Sequence, residues 1–340
     1  MQTNTRPHTS RRIKQALALQ VAFFTLIIHS HFLVRSSTCT AAESGTNRRI
    51  TLTTYNVENM LDVFDDPYTK DESIVVKPRE AYKQIAAIIR KINPDIMAFQ
   101  ELENEAVLKA MTRNWLSDRG YNYIAVGKTN SNRGINLGII SKIPIHSVTS
   151  YRFKTLRLPG HDKTWRFARD LMHVQLDITK SKRLHLFSVH LKSQNTVEKS
   201  DPKGAKWRLA EASKAKQIIT NILAKDSDAL IALVGDINDM PKSPVLNELL
   251  APVQMQPTLK PELVLINPHA HLLEKDRITY LKKPYRTTID YTLISPTLRK
   301  LLVEGSPTVE KDETLLGGSD HAPVSLQFLL PIPSIQVQTK

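Results

Sequence analysis

The chain has 340 residues, 41% hydrophobic and only 6% aromatic, enough for one large domain with a sizeable core. Its formal charge of +14 favours polyanionic partners: nucleic acid, an anionic lipid surface or a phosphorylated small molecule. The one cysteine, Cys39, excludes a disulfide framework and any cysteine metal cluster.

Met1–Ala42 differs in kind from the rest. Arg6, Arg11, Arg12 and Lys14 precede an apolar stretch, Ala16–Val34, and small residues follow at Ser36–Ala42. This is the layout of a secretory signal, with cleavage after Ala42. An uncleaved anchor is the alternative, although the stretch is barely long enough to span and is broken by Gln20, His29 and His31. Removal of the leader leaves a cysteine-free chain of formal charge about +9, secreted or held in a periplasm. A short linker (43–48), one domain (49–330) and a C-terminal tail (331–340) complete the expected organisation, without internal repeats.

Arg49–Tyr55 alternates and is β-branched, the pattern of a strand, and it runs into Asn56-Val57-Glu58-Asn59. Residues 61–76 are acidic and turn-rich, a surface loop. Pro78 opens a helix whose apolar face is Tyr82, Ile85, Ile89 and Ile92, and Asn93-Pro94 stops it. Asp95–Phe99 reads as a short buried strand ending in Gln100-Glu101, and a second helix is expected from about Asn104 to Asp118. Tyr121–Val126 and Asn136–Ser141 read as strands around a loop with Lys128 and Arg133, and Ile145–Phe153 as another strand.

Lys154–Phe167 reads as a polar, basic connection. Leu171–Ile178 and Arg183–Val189 form an expected antiparallel pair leading to His190-Leu191-Lys192. A loop precedes a helix with Trp207, Ala210, Ala215, Ile218, Ile219 and Ile222 on one face. Ala229–Val234 is apolar without alternation, as in a central strand buried on both faces. It ends at Gly235-Asp236-Ile237-Asn238. If the chain stays extended there, Asp236 and Asn238 point to the same side; a plain polar turn is the competing reading. Residues 252–284 are Pro-rich and hold no clear pattern. Arg286–Ser295 and Val324–Leu329 close the list of strands.

Nearly every buried strand thus ends in residues that suit a metal or a phosphate: Asn56, Glu101, His190 with Lys192, Asp236 with Asn238, Asp290, and Asp320-His321. Each alone reads equally well as a turn residue, a cap or a satisfied buried group. A sheet gathers its strand ends on one rim, so together they describe a site. The chemistry fits phosphoester hydrolysis, which needs a cation on the phosphate, a deprotonated water and help for the leaving alkoxide. Glu101 is an oxygen ligand for a hard cation such as Mg²⁺. His321 is the natural general base, and Asp290 the carboxylate that orients it. No His-Glu-x-x-His stretch suggests protease-type zinc.

At Tyr55-Asn56-Val57-Glu58-Asn59, Gln100-Glu101, Ser188-Val189-His190, Gly235-Asp236-Ile237-Asn238, Ile289-Asp290-Tyr291 and Ser319-Asp320-His321-Ala322-Pro323, the sequence resembles the endonuclease/exonuclease/phosphatase superfamily over residues 49–330. The resemblance implies a four-layered α/β sandwich, two mixed β-sheets packed face to face with helices outside. It implies Glu101 as the principal Mg²⁺ ligand (Mn²⁺ as a substitute), with Asn56 and Asp320 near the metal. It implies Asp236 and Asn238 as positioning groups for water and phosphate, His321 as base oriented by Asp290, and His190 as a phosphate-binding or proton-donating histidine. Arg169 and Lys192 are further phosphate-binding candidates, with a solvated basic residue as the alternative. Tyr55, Trp165 and Trp207 read as packing residues.

A secreted or periplasmic, monomeric nuclease acting on DNA or RNA is the reading these features favour, with no stable membrane partner once the leader is gone. A phospholipase-C- or sphingomyelinase-like enzyme, or an inositol-phosphate phosphatase, is the alternative within the same superfamily; no aromatic hairpin for entering a bilayer is evident. An inactive binding module is opposed by the intact set of Glu101, His190, Asp236, Asn238 and His321.

Overall fold

Ile96 and Ala98 face one side of their strand and Met97 and Phe99 the other, yet all four are fully buried. A strand buried on both faces needs a layer above and a layer below, and that requirement organises the molecule. The computed structural model describes residues 47–331 apart from 65, 71–73, 197 and 251–264. The expected leader, most of the linker and tail, part of the acidic 61–76 loop and most of Pro252–Pro268 lie outside the described residues.

In chain order the elements are β1 (Asn47–Met60), α1 (Arg79–Ile92), β2 (Ile96–Leu102), α2 (Glu105–Trp115), β3 (Tyr123–Gly127), β4 (Asn136–Ser141), β5 (Ile145–Ser150), β6 (Leu156–Arg157), β7 (Thr164–Trp165), β8 (Leu171–Asp177), β9 (Arg183–His190), α3 (Ala205–Leu223), β10 (Leu230–Asp236), α4 (Pro244–Leu250), β11 (Asp290–Ile294), α5 (Pro296–Lys300), β12 (Thr308–Val309) and β13 (Val324–Pro331). The first sheet has the order β12-β13-β1-β2-β4-β3 and the second β11-β10-β9-β8-β5. Both are mixed: β1 is parallel to β2 but antiparallel to β13, and β10 is parallel to β9 but antiparallel to β11.

One apolar cluster fills the space between the sheets, with Leu52, Ile96, Ala98 and Ile139 from the first and Val174, Leu186, Ala232 and Val234 from the second. A second cluster joins β9 and β10 to α3 and α4, and a third joins β1 and β2 to α1 and α2. The result is the expected four-layered sandwich. Helix α1 ends as its sequence demands: Asn93 takes the left-handed conformation (φ 51°) and its N–H donates to the Ile89 carbonyl. Helix α2 is capped by Asn104, whose side chain accepts from the Val107 N–H.

Three segments differ from their sequence-based reading, and two short helices were not expected from it. Lys154–Phe167 is not only a polar connection: it forms the β6–β7 hairpin, which buries Leu156, Trp165 and Phe167 against the second sheet's outer helices. The strand expected at Arg286–Ser295 begins only at Asp290, because Thr287 pairs instead with Tyr280. The strand at Ile145 stops at Ser150. The helices α4 and α5, each opening on a proline, carry too few residues to show a period.

Candidate active site

Register places three site residues side by side. His190 is the Cα partner of Asp236 across β9 and β10, and Asp236 is the partner of Asp290 across β10 and β11. In-register neighbours share a face, so the second sheet delivers a histidine and two carboxylates to one edge. The first sheet supplies Asn56 and Glu101 from the parallel strands β1 and β2, and Asp320 and His321 immediately precede β13.

The two sets meet. Asn56 Nδ2 donates to Asp236 Oδ2 at 3.0 Å, and His321 Nδ1 donates to Asp290 Oδ2 at 2.8 Å. His190 Nε2 stands 3.5 Å from Asp236 Oδ2 and 3.7 Å from Glu101 Oε1. The Ser319 hydroxyl donates to the Asn56 carbonyl and accepts from the His321 N–H, which fixes the His321 backbone.

The backbone is strained where these side chains are aimed. Glu58 (φ 47°), Asn59 (φ 48°), Glu101 (φ 65°) and Asn238 (φ 56°) are all left-handed, and the β1–β2 and β2–β4 registers shift beside the first three. Irregularities of this kind redirect side chains and cost about 1–3 kcal/mol each in a non-glycine residue. They are held by local bonds: the Glu58 N–H donates to Asn56 Oδ1, the Asn59 N–H to Glu101 Oε2, and the Asp320 N–H to Glu58 Oε2. Asn238 therefore corrects the extended reading of Gly-Asp-x-Asn. Its N–H turns back to Asp236 Oδ1 at 2.8 Å, and its Nδ2 donates to the Leu191 carbonyl. The segment is a polar turn and part of the site at once.

Burial and charge set the protonation states. Burial alone would lower the His321 pKa, but Asp290 against its ring, with Asp236 and Asp320 nearby, raises it. Asp236 is raised by burial and by Asp290. Asp320 is raised by burial, with Glu58 and Glu101 adding repulsion. His190 is fully buried and held well below its usual range, so its ring is neutral. Carboxylates that push one another up in this way are in excess of their cations, and all their donors are oxygens. That donor set fits a hard divalent cation at Glu101, Asn56 and Asp320. Asp236, Asp290 and His321 also offer ligand atoms within 4.8 Å of one another, but Asp290 Oδ2 and His321 Nδ1 already bond each other.

Arg169 is buried beside the site and donates to the Leu191 carbonyl at 3.1 Å. Lys192 lines the same cleft, but its ammonium donates to the Ser193 and Asn195 carbonyls and lies 5.9 Å from the Trp207 ring. Trp165 is buried, and Trp207 packs against the apolar cluster with its indole N–H on the Arg166 carbonyl. Sequence reasoning missed Glu211. This carboxylate of α3 is fully buried and accepts from the Ala168 N–H and the Lys192 N–H, both at 2.7 Å. It ties together the two segments that carry Arg169, His190 and Lys192. Burial pushes its pKa up to about 7.

The site opens into a cleft of about 1870 Å³ whose walls carry Arg133, Lys163, Arg166, Lys282 and Arg286. Among curated proteins none matches the chain by sequence. Solved structures do match in fold. ANGEL2, a 2′,3′-cyclic phosphatase in complex with adenosine-2′,3′-vanadate, superposes with a TM-score of 0.57 at 16% identity, over 84% of this chain and 97% of that one. The human nocturnin catalytic domain with bound sulfate gives 0.56 at 16% identity, over 83% and 94%. A Leptotrichia buccalis endonuclease/exonuclease/phosphatase family protein gives 0.54 at 14% identity, over 82% and 99%. A sequence model of the endonuclease/exonuclease/phosphatase family matches residues 51–312, which takes in the second sheet, the first sheet except β13 and the start of β1, and every residue of the cluster except Asp320 and His321, and the chain belongs to that family.

Proposed function

We propose that this protein is a divalent-metal-dependent phosphodiesterase, an exported nuclease that hydrolyses DNA or RNA by attack of a water activated by His321. The observation that carries this reading is the 2.8 Å bond from His321 Nδ1 to Asp290, set beside a cluster of carboxylates in a cation-walled cleft. With its Nδ1–H held by Asp290, His321 has Nε2 as its proton-accepting nitrogen. Asp236 and Asn238 position the water and the phosphate. Neutral His190 presents its Nε2–H as a hydrogen-bond donor to a phosphate oxygen, and buried Arg169 adds positive charge behind it. Held by Glu101, Asn56 and Asp320, a divalent cation would stabilise charge on the phosphate and oppose the upward pull of the carboxylates on His321. The exposed Arg166 and Arg286 suit a polyanionic chain that runs past the reacting phosphate.

One observation favours the headgroup-releasing alternative. The loop after β1 exposes Val63 and Phe64 (77%), Tyr68 (95%) and Val75, apolar groups that a lipid surface could take up. The test uses the full chain with supercoiled plasmid, RNA and sphingomyelin vesicles, each with Mg²⁺, with EDTA and with the His321→Ala variant. Nicking that needs both Mg²⁺ and His321 is the expected result. Headgroup release without nucleic-acid cleavage would replace the nuclease reading by the lipid one, and cleavage that survives His321→Ala would overturn the role given to that residue.

A further inference from the structure

Asp290 does not itself line the cleft. It lines a second, much smaller cavity of about 10 Å³, together with His269, Arg277, Thr279 and Tyr291. Three of these residues carry a buried polar atom with no hydrogen-bond partner among the described residues: Asp290 Oδ1, His269 Nδ1 and Arg277 Nε. Buried polar atoms are rarely left unpaired, and three on residues that line one small space point to a common partner.

The donor and acceptor roles are fixed by their surroundings. His269 Nε2 lies 3.0 Å from the Ser325 carbonyl, which can only accept, so the proton is on Nε2 and Nδ1 is an acceptor. Burial holds the ring neutral, with its pKa down at about 4. Asp290 Oδ1 is also an acceptor, because Oδ2 takes the His321 proton. Arg277 Nε–H is a donor. Two acceptors cannot satisfy each other, and a metal cation would face the Arg277 guanidinium. A water molecule has two protons for the acceptors and a lone pair for the donor, and it needs roughly 10–15 Å³ of such space.

We infer that a water molecule occupies this cavity, donating to Asp290 Oδ1 and His269 Nδ1 and accepting from Arg277 Nε, and that His269 is thereby a positioning residue for the Asp290–His321 pair. Asp290 would then be clamped at both oxygens, Oδ2 by His321 and Oδ1 by the water. A carboxylate held at one oxygen can rotate about its terminal torsion; one held at both keeps the His321 ring aligned. This inference rests on His321 acting as the base.

A high-resolution crystal structure of the full chain tests the site directly. One water peak within hydrogen-bond distance of all three atoms is expected; an empty cavity, or a direct contact among the three, would overturn the inference. Kinetics of plasmid nicking test the role. His269→Leu keeps the bulk but removes the acceptor, and a kcat loss of about tenfold at unchanged KM is expected. His269→Asn can return an oxygen to the Nδ1 position and should recover most of that loss. Equal losses in both variants, tracking a shared fall in Tm, would reduce His269 to a structural residue. If Asp290→Asn is inactive while His269→Leu keeps the wild-type rate, the positioning role alone fails. If Asp290→Asn itself keeps the wild-type rate, the role of Asp290 in catalysis fails, and the inference with it.

Discussion

Replacing Glu211 by glutamine separates stability from activity at this site. The carboxylate is fully buried and accepts two backbone N–H groups, one from each segment beside the cleft. Burial is the largest influence on it and outweighs those bonds and the charges of Arg169 and Arg208, so its pKa rises from the ordinary 4.5 to about 7. In the unfolded chain it ionises near its ordinary value; in the folded chain it keeps its proton until about pH 7. The folded protein therefore loses stability as pH rises through that window, by roughly 3 kcal/mol at about 1.4 kcal/mol per pH unit. A glutamine side chain cannot ionise and lacks this slope. Urea unfolding of wild type and Glu211→Gln at pH 5 and pH 8.5 should show the difference in unfolding free energy moving by roughly 3 kcal/mol in favour of the variant at the higher pH. Activity should move the other way. A carboxamide accepts with only one of its two ends, so one N–H is left facing an NH₂ group and the Arg169 and Lys192 segments part, with kcat/KM falling about tenfold. A stability difference unchanged between the two pH values would refute the protonation argument, and wild-type kcat/KM would refute the positioning one.

Gly235 is the position in the core strand least open to change. Its φ is 130°, and a Cβ there would lie 2.1 Å from the Val189 carbonyl oxygen on the neighbouring strand. Gly235→Ala should cost about 3 kcal/mol or more, seen as a large fall in Tm or in soluble yield, and a wild-type Tm would contradict it. Arg166→Ala should weaken nucleic-acid cleavage at low salt and flatten the dependence of log kcat/KM on log salt by about one unit, with no change expected for a small phosphodiester surrogate that has no flanking phosphates. An unaltered slope would remove Arg166 from the path of the polyanion.

What the sequence disclosed and what it hid follow from the range of the interactions. Ala229–Val234 was legible because a strand covered on both faces must be apolar at every position, and its seven-residue successor in the structure is buried throughout. The convergence of the candidate site residues was legible because they cluster at strand ends, where chain position alone predicts that they meet. Glu211 was hidden in plain view. Arg208, Glu211, Ala212, Ala215 and Ile219 follow a helical period and are all buried, so two charges sit on the apolar stripe of α3. That misplacement was the available signal. Arg208 donates to Asp239 at 3.1 Å just as Glu211 accepts from two backbones, and neither partner is near in sequence. The left-handed turn at Asn238 could not be told from an extended chain, because both place a polar residue after Asp236. The β6–β7 hairpin was hidden by Arg157, His161 and Lys163 around the residues it buries.

The bonds Asn56–Asp236 and His321–Asp290 each run from one sheet's side of the sandwich to the other. The apolar filling between the sheets is therefore a spacer with a set thickness, and the site is the gauge that reads it. A methyl group added or removed at Leu52, Leu186 or Val234, none of them a member of the site, alters that thickness by a fraction of an ångström while the bonds at the rim tolerate little more. On warming, alignment across the gap should be the first property to go, so the protein would fall silent as an enzyme before it ceases to be folded.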